Sequence, residues 1–332
     1  MKKLLYINNY NCRCEHKEGY PDNHLWGADA LAKKYDVTCA KVPKSLLPFQ
    51  FKGSAIINSW CSSLIMLCRY FNYSIVYAAC SDMTKAFALA NVLHLGHRRL
   101  YMIQHHGGGV IAFPHGYSKI MFISPFVASL YDVGNKMNVN WGGQIGFAAH
   151  VAQKINHIQY DFVSAGEASR DHICMIFAAE HIEGKTLIIS TLHYSLYDKT
   201  RITILSTNNN RYSTSYYDTY ENYAKSKFIV IPIIQRSGKA VKSLAGLTSF
   251  VDAVVMHKPV LISDSSNMGI DVEGLGIGLV YKAGDAEDMR AKMQQMLAYT
   301  DEEYRQACCN MEEYSKTHNY DEFCKEILAI VK

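Results

Sequence analysis

Apolar residues in this chain fall into short continuous runs, separated by longer segments in which they recur every three or four positions. The runs at 3–8, 36–42, 75–79, 100–104 and 120–123 read as strands, because a parallel strand covered on both faces is apolar throughout rather than alternating. Between them, 24–34, 54–70 and 81–95 carry helical spacing, the last capped by Ser81 or Asp82, and a further helix opens at Ser124-Pro125, where proline suits the first turn. After 157 the alternation restarts, with strands at 160–164, 186–190, 202–206, 228–234, 259–262 and 278–281. Helices are expected to about 181, before 228, over 249–256 and 285–297, and once or twice in 301–332. Strand and helix in turn predict an α/β protein with parallel sheets. The break at 148–157 divides it into an N-terminal domain, 1–150, and a second, 151–308, followed by a helical end, 309–332.

The most informative stretch runs from 228 to 264. A β-branched apolar run leads into a small basic loop holding Arg236, Gly238, Lys239, Lys242 and Gly246; a helix and a second apolar run follow. Glycines, hydroxyls and a helix N-terminus gather backbone N–H groups and the positive end of the helix dipole, which suit a phosphate. Asp252, about one turn into that helix, is placed to accept hydrogen bonds from a ribose. This is a nucleotide site by pattern.

The residues Gly246-Leu247-Thr248-Ser249-Phe250-Val251-Asp252-Ala253, followed by His257-Lys258-Pro259-Val260, resemble the signature of GT-B glycosyltransferases, most closely the retaining group called family 4. The chain departs from it twice: Leu244 stands where the family has an acidic residue, and His257 where it has glycine. The first departure removes the family's acidic contact to the donor sugar and leaves the stereochemical outcome open. Residues 139–147, VNWGGQIGF, resemble the segment that leaves the first GT-B domain, with Gln144 at the usual acidic position.

The resemblance implies an α/β GT-B architecture: two Rossmann-like domains facing each other across a cleft, the final helix packing back on the first. It implies transfer of a hexosyl unit, without a metal cofactor, from a nucleotide-diphosphate sugar to a saccharide or lipid-linked acceptor in cell-surface polysaccharide or glycan biosynthesis. In related enzymes the turn after the first strand of the second domain carries a basic residue on the donor's diphosphate. Here that turn is Ala165-Gly166-Glu167-Ala168-Ser169-Arg170-Asp171. The expected phosphate ligands are therefore Gly166, Arg170, Arg236, Lys239, Gly246, Thr248 and Ser249, with Asp252 on the ribose. A surface pair of Arg170 with Glu167 or Asp171 is the alternative, and is worth little.

Composition narrows the setting. The chain has 332 residues, 49% of them apolar, and no uncharged apolar run long enough to span a bilayer. Its first residues read as a strand rather than a signal peptide. The 10 cysteines form no C-x-x-C pair and are expected as free thiols in a reducing cytoplasm. No D-x-D triplet is present to hold a metal. The net charge of +4 is uneven: residues 1–150 carry 15 Lys+Arg against 7 Asp+Glu, +8, and residues 151–332 carry 19 against 23, −4. A basic first half suits an anionic partner, such as a lipid-linked diphosphate or the inner face of a membrane, and equally a solubilising surface. No nucleic-acid motif accompanies it.

Candidates for acceptor chemistry lie in that first half. The long polar segment 9–23 ends in Asp22, Asn23 and His24, which suit an acceptor and serve as well to cap a helix. The strand at 100–104 runs into His105-His106-Gly107-Gly108-Gly109; His106 there could bond a sugar hydroxyl or act as acid or base, or the turn could be only a tight one. Two other readings remain: a sugar-nucleotide epimerase or hydrolase of the same fold, and a binding protein that has lost the chemistry.

Overall fold

The computed structural model describes residues 1–8, 15–40, 55–81, 83–105, 107, 110–191, 197–206, 215–235 and 244–332. The chain forms two units: Met1–His16 with Asp22–Asn140 and Phe323–Lys332, and Lys17–Pro21 with Trp141–Glu322.

The first unit is built on six parallel strands, β1 (Lys3–Ile7), β2 (Asp36–Cys39), β3 (Ile75–Ala78), β4 (Arg99–Gln104), β5 (Lys119–Phe122) and β6 (Lys136–Asn138), in the order β2-β1-β3-β4-β5-β6. Helices α1 (Ala28–Ala32), α2 (Ala55–Arg69), α3 (Lys85–Val92) and α4 (Pro125–Ser129) connect them. The apolar runs are buried as the pattern requires; Leu4, Leu5, Ile7, Val76 and Met102 have no exposed surface, and Tyr6 stacks on Tyr77 at 5.9 Å. Ser124 caps α4 by accepting from the Val127 N–H.

Three local expectations are corrected in this unit. The helix expected over 24–34 is broken: Asp22–Leu25 is a single 3-10 turn, and Trp26 and Gly27 both take left-handed φ (54° and 80°) before α1 begins. Two such residues in succession cannot carry the i→i−4 ladder. The helix expected from 81 begins at Lys85, with the Thr84 hydroxyl bonded to the Ser81 carbonyl and to Tyr117. Cys39, at the end of β2, is disulfide-bonded, so the expectation of free thiols throughout fails there; the strand end carries a side chain close enough to another sulfur to bridge. Cys61, Cys68, Cys174, Cys308 and Cys309 are free thiols.

The second unit starts with α5 (Ile145–Ala152), a helix where the pattern suggests the start of a linker. Its sheet contains β7 (Tyr160–Ala165), β8 (Thr186–Ser190), β9 (Ile202–Ser206), β10 (Ser226–Ile231), β11 (Val260–Ser263) and β12 (Gly278–Tyr281), all parallel, in the order β12-β11-β10-β7-β8-β9. Helices α6 (His172–Ala179), α7 (Tyr216–Ala224), α8 (Leu247–Val255), α9 (Ala286–Leu297), α10 (Asp301–Ser315) and α11 (Tyr320–Ile330) complete the chain. Phe162 and Phe228 stack at 5.4 Å across the β7–β10 pair, above Met289, Met293 and Met296 of α9. Residues 141–143 need their glycines. A Cβ on Gly142 would come within 2.5 Å of the Asn319 backbone, and one on Gly143 within 2.7 Å of the Val251 carbonyl.

Counted along the second unit, its strands lie in the order 3-2-1-4-5-6, the doubly wound arrangement whose direction reverses between the first and fourth strands. That reversal falls between β7 and β10. In such sheets ligands sit beyond the carboxyl ends of the strands at the reversal. Among the described residues no helix is long and apolar enough to cross a membrane.

Candidate functional site

The carboxyl ends of β7 and β10 are tied together by backbone. The Asp171 N–H donates to the Pro232 carbonyl (2.6 Å) and the Ile234 N–H to the Ser169 carbonyl (2.9 Å). Each connection leads to a helix: the first to α6, capped by the Asp171 carboxylate accepting from the Cys174 N–H, the second to α8. The reversal of the sheet thus presents two helix starts, both favourable to negative charge.

Arg170 joins these loops. Its Nε donates to the Ala165 carbonyl (3.2 Å), Nη1 to the Ala168 carbonyl (3.1 Å) and Nη2 to Ser249 Oγ (2.8 Å) in the first turn of α8. Ser249 Oγ in turn donates to the Ala165 carbonyl (3.4 Å). These three neutral acceptors fix the plane of the guanidinium. Gly166 has φ 115°, and a Cβ there would lie 3.0 Å from Arg170 Nη2. Gly246, just before α8, has φ 91°, and its Cβ would lie 2.8 Å from Ile231 Cγ2. Both glycines are required by conformation and by closeness. Thr248, half-buried, is the second residue of α8.

The structure therefore assembles Gly166, Arg170, Gly246, Thr248 and Ser249, residues from two loops 80 positions apart in sequence, at one place. Arg236 and Lys239 lie outside the described residues. Asp252 lies one turn further along α8, on a different footing. It is buried (3% exposed), and its Oδ1 accepts a 2.6 Å hydrogen bond from the Tyr220 hydroxyl of α7. Burial pushes its carboxyl up to about 7, against the smaller opposing effect of the Tyr220 bond. Tyr220 itself is fully buried, with Phe147 of α5 edge-on at 4.9 Å.

Beneath the Arg170 loop is a pair that the pattern of the chain does not reveal. His172, the first residue of α6, is 1% exposed, and its Nε2 lies 3.3 Å from Ser164 Oγ of β7. Burial, and then the Arg170 charge, lower its pKa to about 3, so the ring is neutral. The spacing of eight residues across a βα turn is the only sequence signal for it. Leu244, at the position where an acid would be expected, is buried beside α8, and its carbonyl accepts from the Leu247 N–H.

Of the candidates in the first unit, Asp22 accepts from or pairs with His16 (3.0 Å), and Asn23 and His24 occupy the 3-10 turn, Asn23 fully buried. His106 lies outside the described residues. Its neighbour His105, just after β4, stacks on Trp26 at 4.1 Å and 23°. Among the described residues no group of three or more His, Cys, Asp or Glu could hold a metal ion.

No family model and no curated protein matches the sequence. Solved structures do match along nearly the whole chain. A glycosyltransferase from Rickettsia africae has a TM-score of 0.65 at 11% identity, over 100% of this chain and 97% of that one. Sucrose-phosphate synthase from Thermosynechococcus elongatus has 0.69 at 11%, over 99% and 98%. HepE from Anabaena, crystallised with UDP-glucose, has 0.58 at 10%, over 99% of each. Two six-stranded parallel sheets with flanking helices, matched end to end in this way, give the chain the GT-B fold of glycosyltransferases.

Proposed function

We propose that the protein is a glycosyltransferase of the retaining family 4 type, taking a hexosyl unit from a nucleotide-diphosphate sugar to a saccharide or lipid-linked acceptor. The observation that carries this reading is the Arg170 hub at the sheet reversal of the second unit, where a cation and two helix starts converge beyond the strand ends. Similar chains crystallised with UDP and with UDP-glucose support it.

In this reading the diphosphate lies against Gly166, Arg170, Gly246, Thr248 and Ser249, with Arg236 and Lys239 completing the set and Asp252 reaching the ribose. When the acceptor oxygen attacks the anomeric carbon, the sugar–phosphate bond breaks and charge grows on the departing diphosphate. A fixed guanidinium and helix starts stabilise that charge more in the transition state than before it, which is the work a metal does elsewhere. The departing phosphate can take the acceptor's proton, so a retaining reaction needs no protein base; His106, Asp22 and His24 are the groups on the acceptor side. A cytoplasmic place, with the basic first unit touching an anionic membrane that carries the acceptor, fits a role in cell-surface polysaccharide synthesis.

Calorimetric titration with UDP, GDP, ADP and TDP, each with and without a chelator, tests the reading. One diphosphate should bind clearly and equally in both conditions; binding of none would overturn it. The buried Leu244 favours one rival, a binder without transfer chemistry. Slow hydrolysis of the bound donor in the absence of acceptor would exclude that rival.

A further inference from the structure

The turn between β7 and α6 is closed three times over. Arg170 folds back on its own loop, donating to the Ala165 and Ala168 carbonyls. The Asp171 N–H and the Ser169 carbonyl are tied to the end of β10 through Pro232 and Ile234. Underneath, His172 Nε2 meets Ser164 Oγ at 3.3 Å, which joins β7 to the first residue of α6. So much closure answers a strained backbone. Gly166 has φ 115°, and Ser169 has φ 57°, a conformation that a residue with a Cβ adopts at a cost. Strain of that kind persists only where the surroundings over-determine the turn.

The third closure is the one that lowers stability. His172 is 1% exposed and Ser164 has no exposed surface. His172 Nδ1 finds no hydrogen-bond partner among the described residues, and a buried nitrogen of that kind forfeits the hydration it has in the unfolded chain. The other buried residues of α6 are Cys174, Met175, Ile176, Ala178 and Ala179. His172→Leu together with Ser164→Ala would continue that core and leave neither group unpaired. What an apolar pair lacks is direction: a hydrogen bond fixes the angle at which α6 leaves the strand, and apolar packing specifies it less narrowly. Arg170 stands two residues before His172, and its Nη2 reaches Ser249 of α8 at 2.8 Å, so a small turn of the start of α6 shifts the guanidinium against α8.

We propose that His172 is a positioning residue for the diphosphate site: held by Ser164, it sets the start of α6 and with it the plane in which Arg170 meets a diphosphate, and it lowers the stability of the fold in doing so. A polar pair kept in an apolar layer against stability is the mark of a group retained for a site rather than for the core. The inference rests on the donor reading proposed above for the nature of the ligand, and not for the ties within the turn.

Two variants separate positioning from support. In Ser164→Ala/His172→Leu both polar partners are gone, and thermal unfolding should find the protein as stable as the parent or more so. Calorimetry with UDP, or with whichever of GDP, ADP and TDP the parent binds, should show affinity lower by about tenfold, the loss of one well-aimed charge-assisted bond. His172→Gln, whose amide reaches the place of Nε2, should recover most of that affinity. Hydrogen exchange at the Asp171 and Ile234 amides needs no ligand; it should quicken about tenfold in the double variant and return towards the parent rate in His172→Gln. Stability and affinity lost together in the double variant, an unchanged affinity, or a His172→Gln protein as weak as the double variant would each overturn the proposal and leave the pair a part of the core. A parent that binds no diphosphate would overturn the donor reading by itself. Faster exchange at undiminished stability would then still uphold the hold of His172 on the Arg170 turn, and unchanged exchange would overturn it.

Discussion

Two polar arrangements hang on α8 one turn apart, and they differ in almost every physical respect. At the first turn Ser249 receives the Arg170 guanidinium at the mouth of the sheet, among carbonyls and helix starts. At the second, Asp252 Oδ1 accepts the Tyr220 hydroxyl in the interior. Ser249 receives a cation and Asp252 a phenol, and only the buried acid has its carboxyl raised by its surroundings. The first arrangement fixes a guanidinium between the two loops, and the second keeps an acid that gains its proton readily. The first suits a ligand anion in the function proposed above; the second couples the helix to pH.

The strongest test of that contrast is at Arg170. Arg170→Ala should weaken nucleoside-diphosphate binding about a hundredfold, ~3 kcal/mol, since charge-assisted bonds to phosphate are lost together with the bond that holds Ser249. Arg170→Lys keeps the charge without the fork that spans Ala165, Ala168 and Ser249, and should recover only part of the affinity. Titration of both variants by calorimetry decides it; an unchanged affinity in Arg170→Ala would mean that the hub is only a loop tie.

A smaller effect is expected at Asp252, and its sign follows from burial. Its carboxyl titrates near 7 in the folded chain against 3.8 for the ordinary group. Below the ordinary value both states hold the proton and nothing is lost. Between it and about 7 the unfolded chain has released a proton that the folded chain retains, so stability falls as pH rises; above about 7 the loss is constant. Asp252→Asn keeps an acceptor for Tyr220 and removes the charge. Urea unfolding should find it more stable than the parent at pH 8 by on the order of 2 kcal/mol, and equal to it at pH 4. Tyr220→Phe removes the donor instead and should lower stability at pH 8 by about 1–3 kcal/mol, with less effect at pH 4. A gap that does not change with pH would show that the Asp252 carboxyl is not the group being titrated. Diphosphate affinity of Asp252→Asn at pH 8 separately reports whether the carboxylate reaches a ribose.

The contrast also marks what a sequence can disclose. Apolar runs located nine of the twelve described strands to within two residues at each end, because a strand buried on both faces has little freedom in composition; the runs overshoot β2 and β10 by three residues, and β6, a three-residue edge strand with two exposed positions, had no run to mark it. Gly166 and Arg170 stand in the turn directly after β7, where local chemistry can be read, whereas Gly246 and Ser249 come to the same place only at the start of α8, 15 and 18 positions after β10 ends. Tyr220 and Asp252 were not legible as a pair: they lie 32 positions apart on two helices, and only packing brings them together. His172 was hidden for another reason, since a histidine opening an apolar helix looks the same whether it faces solvent or the sheet. The break at Trp26-Gly27 shows the limit of periodicity, which reports apolar faces and not the sign of φ.

The smallest effect concerns the far end of α8, where His257 occupies the position at which the GT-B signature has glycine. Its φ is 52°, left-handed, so the histidine holds the conformation that a glycine would adopt there freely. A non-glycine residue in that region costs about 1–2 kcal/mol, and the flexible glycine would return about 0.5–1 kcal/mol of that through the unfolded chain. The ring offers little in compensation, with Nε2 at 3.5 Å from Ser315 Oγ, the outer limit of a hydrogen bond. His257→Gly should therefore leave stability unchanged or raise it by up to about 1 kcal/mol, and leave diphosphate affinity as it was. Thermal unfolding measures the first and calorimetry the second. A loss of more than about 1 kcal/mol would mean that the ring packs usefully between α8 and α10, and that this departure from the signature is an added brace rather than a tolerated strain.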